Sequence, residues 1–176
     1  MKVVAFGASS SSTSINKTLA SYAADLISGA EIKVLNLNDY EVPLFSEDKE
    51  KEIGQAAGAK AFLSDIAWAD VLIISFAEHN GSYTAAYKNL FDWATRIERN
   101  VFADKPAVYL STSPGPGGAA SVLSAAIGSA PYFGAQVKAS LSIASFYENF
   151  DLKTGKLTNP TLDEQLKTAL AQLSMD

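Results

Sequence analysis

The chain has no cysteine and only one histidine in 176 residues. The first absence excludes disulfides, thiolate metal sites and iron–sulfur clusters, and a lone His79 cannot build a His-based metal site. Redox chemistry, if present, must therefore come from an organic cofactor. Basic residues are also scarce. Fourteen Lys and Arg against nineteen Asp and Glu leave a formal net charge of −5 and a pI near 4.9. That is the opposite of the basic face that nucleic acid requires. No apolar run approaches the roughly 20 residues that span a bilayer, and the N-terminus lacks the charged, apolar and cleavage segments of a secretory signal. The expectation is a cytoplasmic protein with neither nucleic acid nor membrane as partner. Two catalytic signatures are missing as well. There is no G-x-x-x-x-G-K-[ST] loop for a nucleoside triphosphate and no G-x-S-x-G elbow for a serine hydrolase.

What is present is the pattern of one α/β domain spanning 1–176. Apolar runs at Val3–Phe6, Ile32–Leu37, Val71–Phe76, Ala107–Leu110 and Ala139–Ile143 are separated by helical patterns, as in a parallel sheet covered on both faces. The first helix carries Ile15, Leu19, Tyr22 and Leu26 on one face; a second is predicted from about Asp48 to Ala69. A third, opening near Tyr83 with Ser82 as N-cap, carries Tyr87, Leu90, Phe91, Ala94 and Ile97. The last begins after Asn159-Pro160, where Thr161 and Glu164 have capping-box spacing. Right-handed crossovers favour a doubly wound sheet, whose ligands lie beyond the carboxyl ends of the strands where strand order reverses.

Three loops converge at that edge. The first, after Gly7, holds five serines and a threonine between Ser9 and Ser14 and then opens a helix near Ile15. Backbone N–H groups at a helix N-terminus favour an anion, and hydroxyls add donors. One N-cap needs one hydroxyl, from Ser12, Thr13 or Ser14, so the excess points to a phosphate. The loop has no Lys or Arg, which suits the single phosphate of a flavin mononucleotide. The second loop, Ala77 to Ser82, contains Asn80-Gly81, a strong turn signal that exposes backbone donors to a flat heterocycle. Glu78 reads equally as a carboxylate near the ligand or a soluble loop residue, and His79 as a solvent-facing one. The third loop, Ser111 to Gly118, is glycine-rich, so a ligand can approach its backbone closely. Its Gly115, Gly117 and Ala120 fit G-x-G-x-x-A. However, the stretch Ser140 to Ser145 offers no acid for a dinucleotide ribose, which argues against a Rossmann site.

Together these residues resemble the NADPH-dependent FMN reductase family over nearly the whole chain. AEHNGSYTAAYKNLFDWATR looks like the family's Pro-Glu-Tyr-Asn-Gly-Ser run with its following helix. STSPGPGG looks like its glycine-rich loop, and FDLKTGKLT like its C-terminal turn. The resemblance implies a flavodoxin-like fold, a five-stranded parallel sheet of order 2-1-3-4-5 with helices on both faces. It implies FMN and NADPH as cofactors. Ser9, Ser11, Ser14, Ile15 and Asn16 would surround the FMN phosphate. Glu78, His79, Asn80 and Gly81 would lie along the ring and ribityl chain, with Ser113 and Gly115 at the other ring edge. Hydride would pass from NADPH to the flavin and then to a second acceptor such as a flavin or quinone, in ping-pong order. No side-chain acid or base is required. Two departures stand out: Ser11 occupies the place of a common Arg, and Ala77-Glu78-His79 replaces Pro-Glu-Tyr. The first removes a charge-assisted phosphate contact.

A flavodoxin-like electron carrier that does not oxidise pyridine nucleotide, and an α/β domain that has lost its cofactor, are the alternatives. The aromatic helix from Tyr83 to Ile97 exceeds one core face. It is expected at the contact of a homodimer or homotetramer.

Overall fold

A computed structural model describes residues 1–174. Five apolar runs become the strands β1 (Lys2–Gly7), β2 (Glu31–Leu35), β3 (Val71–Phe76), β6 (Lys105–Thr112) and β7 (Ala135–Ile143) of one parallel sheet. Their order, β2-β1-β3-β6-β7, is the expected 2-1-3-4-5. Strand order reverses between β1 and β3, so the loops after those two strands open side by side. Two short antiparallel pairs lie outside the sheet: β4 (Glu78–His79) with β5 (Ser82–Tyr83), and β8 (Phe150–Asp151) with β9 (Lys156–Leu157).

Side-chain alternation divides the core between the two faces. Val4, Phe6, Leu72, Ile74, Phe76 and Tyr109 pack beneath α3 (Ala57–Trp68), α4 (Ala85–Ile97) and α5 (Ala120–Ser129). Val3, Ala5, Ile73, Val108 and Leu110 meet α1 (Ile15–Asp25) and α7 (Pro160–Ala171) on the other face, with Phe146 from the short α6 (Phe146–Asn149).

Several boundaries differ from expectation. The single helix predicted from Asp48 to Ala69 is two, α2 (Glu47–Ile53) and α3, because Gly54 takes a φ of +71° and ends the first. The N-cap of α4 is Thr84 rather than Ser82; its hydroxyl accepts from the Tyr87 N–H and donates to the Ala8 carbonyl. Asn159, not Thr161, caps α7.

The aromatic excess on α4 is absorbed within the chain. Trp93 is fully buried with Phe45 edge-on at 5.2 Å, and Phe91 stacks on Phe102 and meets Phe133 at 4.8 Å. Apolar side chains from three connecting segments thus cover what the periodicity alone leaves open. The outer face carries the Lys88–Asp92 pair and Arg96, bidentate to Glu50 of α2. The observation that placed a subunit contact on α4 is therefore accounted for internally. No helix among the described residues is long and apolar enough to cross a membrane.

Candidate cofactor site

The first loop is built by a close approach. A Cβ on Gly7 would lie 2.3 Å from the Lys17 nitrogen, so only glycine lets the first turn of α1 rest on the end of β1. Ser14 is the N-cap, accepting from the Lys17 N–H at 3.2 Å. Ser9 Oγ accepts from the Ser11 N–H at 3.1 Å. A hydroxyl that accepts one bond keeps its own proton to donate, so both side chains stay competent toward a ligand. Among the described residues, the backbone N–H groups of Ser12, Thr13, Ile15 and Asn16 find no acceptor in the protein. Four unpaired donors around a helix N-terminus with several hydroxyls are the chemistry of a phosphate cradle.

The side chain of Asn16 turns away from the loop. It points inward, is 3% exposed, and both the oxygen and the nitrogen of its amide are engaged. Nδ2 donates to the Thr112 carbonyl at 3.1 Å, while Oδ1 accepts from the Ser75 hydroxyl at 2.7 Å and the Thr112 N–H at 3.0 Å. Asn16 can offer a phosphate its backbone N–H, not its side chain. Ser75 and Thr112, the ends of β3 and β6, are residues that the sequence reading missed. The signal for Ser75 was a polar residue inside the apolar run Val71–Phe76, whereas Thr112 lay at the start of the third loop with nothing to single it out.

The second loop is the β4–β5 hairpin, whose turn residues Asn80 and Gly81 both have positive φ, 54° and 77°. That pair is the primed turn an Asn-Gly dipeptide favours. His79, Asn80 and Gly81 are exposed at its tip. Glu78 turns the other way: its Oε2 accepts from the Val122 N–H at 2.8 Å. Helix α5 starts on Ala119, in left-handed conformation and without a side-chain cap, so Glu78 supplies the missing cap from 44 residues away. Its carboxylate joins the second loop to the third instead of pointing into the space between them.

In the third loop, Ser113 Oγ donates to the Gly115 carbonyl at 3.1 Å. The Ser145 and Phe146 N–H groups bond the Gly115 and Ser113 carbonyls at 2.8 and 3.0 Å. These bonds fix the loop from the β7 side. A Cβ built on Gly115 or Gly117 meets nothing within 4 Å, so the loop faces open space there. Beneath the loops, burial pushes the Tyr87 and Tyr109 phenols well above the ordinary tyrosine value. Both stay neutral near pH 7 and supply no acid–base group.

A doubly wound parallel sheet with these three loops at its carboxyl edge defines a flavodoxin-like protein. Its sequence places it further: the chain belongs to the NADPH-dependent FMN reductase family, whose pattern matches residues 1–148. It is 34% identical over 125 residues to an NADPH:quinone oxidoreductase of Arabidopsis thaliana, covering 69% of this chain and 62% of that protein. It is 31% identical over 121 residues to an NAD(P)H-dependent FMN reductase of Pseudomonas aeruginosa, covering 68% and 64%. The matched stretch thus spans under two thirds of either relative. In fold it is similar to FerB, a flavoenzyme NAD(P)H:(acceptor) oxidoreductase from Paracoccus denitrificans, with a TM-score of 0.74 and 23% identity over 98% of this chain and 97% of that one.

Proposed function

We propose that the protein binds FMN and acts as an NAD(P)H-dependent reductase of a small acceptor such as a flavin or quinone. The observation that carries this reading is the set of four unpaired N–H donors in the first loop, set beside a glycine-lined opening in the third. Ser9, Ser11 and Ser14 hydroxyls with the N–H groups of Ile15 and Asn16 would hold the phosphate. The tip residues His79, Asn80 and Gly81 on one side, and Ser113 with Gly115 on the other, would border the ring. Glu78 would set the width between them. Bound FMN would supply hydride acceptance and donation, and the chain would supply orientation and donors.

The test is the visible spectrum of protein reconstituted with FMN, followed by anaerobic NADPH. Bleaching of the flavin absorbance and steady-state NADPH consumption with a quinone are expected. Retained yellow colour that neither NADPH nor NADH bleaches would leave an electron carrier, and colourless protein that ignores FMN would remove the reading. A cytoplasmic location, where reduced pyridine nucleotide is supplied, goes with it. So does self-association, whose contact would use exposed apolar side chains such as Leu44, 83% exposed, rather than α4.

A further inference from the structure

The outer face of α1 and the segment from α6 to β9 line an open groove of about 650 Å³ that shares Ser14 and Ile15 with the proposed phosphate site and continues from there along α1. One end is formed by Ser12, Thr13 and Ser14, the outer side of the first loop. The opposite wall begins at Tyr147, directly after Ser145 and Phe146, whose N–H groups hold the third loop. The groove therefore starts at the first loop, and its far wall follows directly on the residues that brace the third.

Its lining joins three chemistries. Lys17, in the first turn of α1, makes no ion pair, and among the described residues its ammonium has no hydrogen-bond partner. The first, second and third loops themselves, 7–16, 77–84 and 112–119, contain no Lys or Arg. Lys17 is thus the cation that follows directly on the first loop. Ser12, Thr13, Thr18 and Ser21 line the groove with it, the Thr18 hydroxyl donating to the Ser14 carbonyl. Tyr147 and Leu152, 58% and 60% exposed, present a flat apolar wall. The one acidic group in the lining, Asp25, sits eight residues along α1, about 12 Å from Lys17 by helix rise.

We propose that this groove holds the adenosine half of the reducing dinucleotide, with a phosphate on Lys17 and the adenine against Tyr147. The proposal rests on the FMN reading. A dinucleotide whose nicotinamide meets the flavin must leave its adenosine and phosphates close to the loops, and those phosphates need a cation that the loops lack. A lone ammonium, ribose-compatible hydroxyls and an exposed aromatic ring in one groove meet that need.

Calorimetric titration of the FMN-loaded protein with 2′,5′-ADP and with ADP tests the assignment. Binding of at least one fragment is expected, weakened about fivefold or more by Lys17→Gln and roughly tenfold by Tyr147→Ala. Weakening of 2′,5′-ADP alone in Lys17→Gln would place the 2′-phosphate on Lys17; weakening of both would place there the 5′-phosphate that the two fragments share. Kinetics give an independent reading. The ratio of kcat/KM for NADPH to that for N-benzyl-dihydronicotinamide, which has no adenosine, should fall about tenfold in Tyr147→Ala. Absence of fragment binding, or unchanged affinity in both variants, would overturn the groove assignment. So would an effect of Lys17→Gln on FMN affinity in place of the fragments. Reduction of the unmodified protein by the truncated donor alongside such a failure would leave the FMN reading standing; failure of both donors would remove the reading and the groove together.

Discussion

Replacing Glu78 by alanine should destabilise the protein through a helix that Glu78 does not belong to. Val122 is fully buried, and its N–H bonds to Glu78 Oε2 at 2.8 Å. With the carboxylate gone, that donor loses the one acceptor the protein offers it. Ala119, the N-cap of α5, offers no side-chain bond in compensation. A hydrogen bond to a charged group contributes about 1.5–3 kcal/mol, and a negative charge at a helix N-terminus about 0.3–1 kcal/mol, the two overlapping here. Since Glu78 is half-buried, a loss of about 2 kcal/mol is expected, or roughly 4–8 °C in Tm for a chain of this size. Glu78→Gln keeps an acceptor oxygen and should lose about half as much. Urea titrations of the two variants and the unmodified protein, with m values compared, decide the matter. An alanine variant within about 0.5 kcal/mol of the unmodified protein would refute the capping argument. Equal losses in both variants would show that charge rather than geometry carries the contact. The loss should extend to the ligand, because the same bond fixes the spacing of the second and third loops. Weaker FMN binding in both variants is expected by calorimetry.

Asn16→Ala should be more severe, at about 3–5 kcal/mol, since it strands the Ser75 hydroxyl and both backbone groups of Thr112; chemical denaturation measures it, and a loss under 1 kcal/mol would contradict the buried network. FMN should bind more than roughly tenfold tighter than riboflavin, because several charge-assisted contacts depend on the phosphate; equal dissociation constants would show that the first loop is no cradle. Stability should fall on the alkaline side. Burial, aided by the bond to Asp163, raises the Tyr22 pKa from 10.0 to about 12, so the neutral phenol's stabilisation is complete below pH 10 and disappears as pH rises through the folded value. Tyr22→Phe should flatten the decline of the urea midpoint between pH 9 and 12, and an unchanged slope would rule this origin out. On the acid side, the Lys167 ammonium and the Tyr22 hydroxyl hold the Asp163 carboxyl below its usual 3.8, so Asp163→Asn should lose its penalty as pH falls through that range.

The sheet was legible because the central strands β1, β3 and β6 hold short, nearly continuous apolar runs, a signal that parallel strands buried on both faces produce, while the edge strands β2 and β7 alternate apolar with polar residues. The cofactor loops were legible by composition, since six consecutive hydroxyl residues and a cluster of glycines have few uses. What could not be read depends on distant partners. Asn16 meets Ser75 and Thr112 at separations of 59 and 96 residues, and nothing local to Asn16 announces either. Glu78 looked equally like a ligand-facing or a solvated carboxylate because Val122 lies 44 residues on. The strands β4 and β5 span two residues each, too short for periodicity, so the start of α4 was placed early. The apolar residues that cover α4, Phe45, Phe102 and Phe133, sit in connecting segments where no period exists to reveal them.

One amide side chain links the first turn of α1 to the ends of β3 and β6. In hydrogen-exchange terms this makes the carboxyl edge of the sheet a single cooperative unit, because the Thr112 amide cannot open while Asn16 holds it. A ligand that binds only the closed edge should therefore slow exchange well beyond the atoms it touches. Addition of FMN is expected to protect the Thr112 amide together with those of the first loop, and Asn16→Ala should uncouple the two.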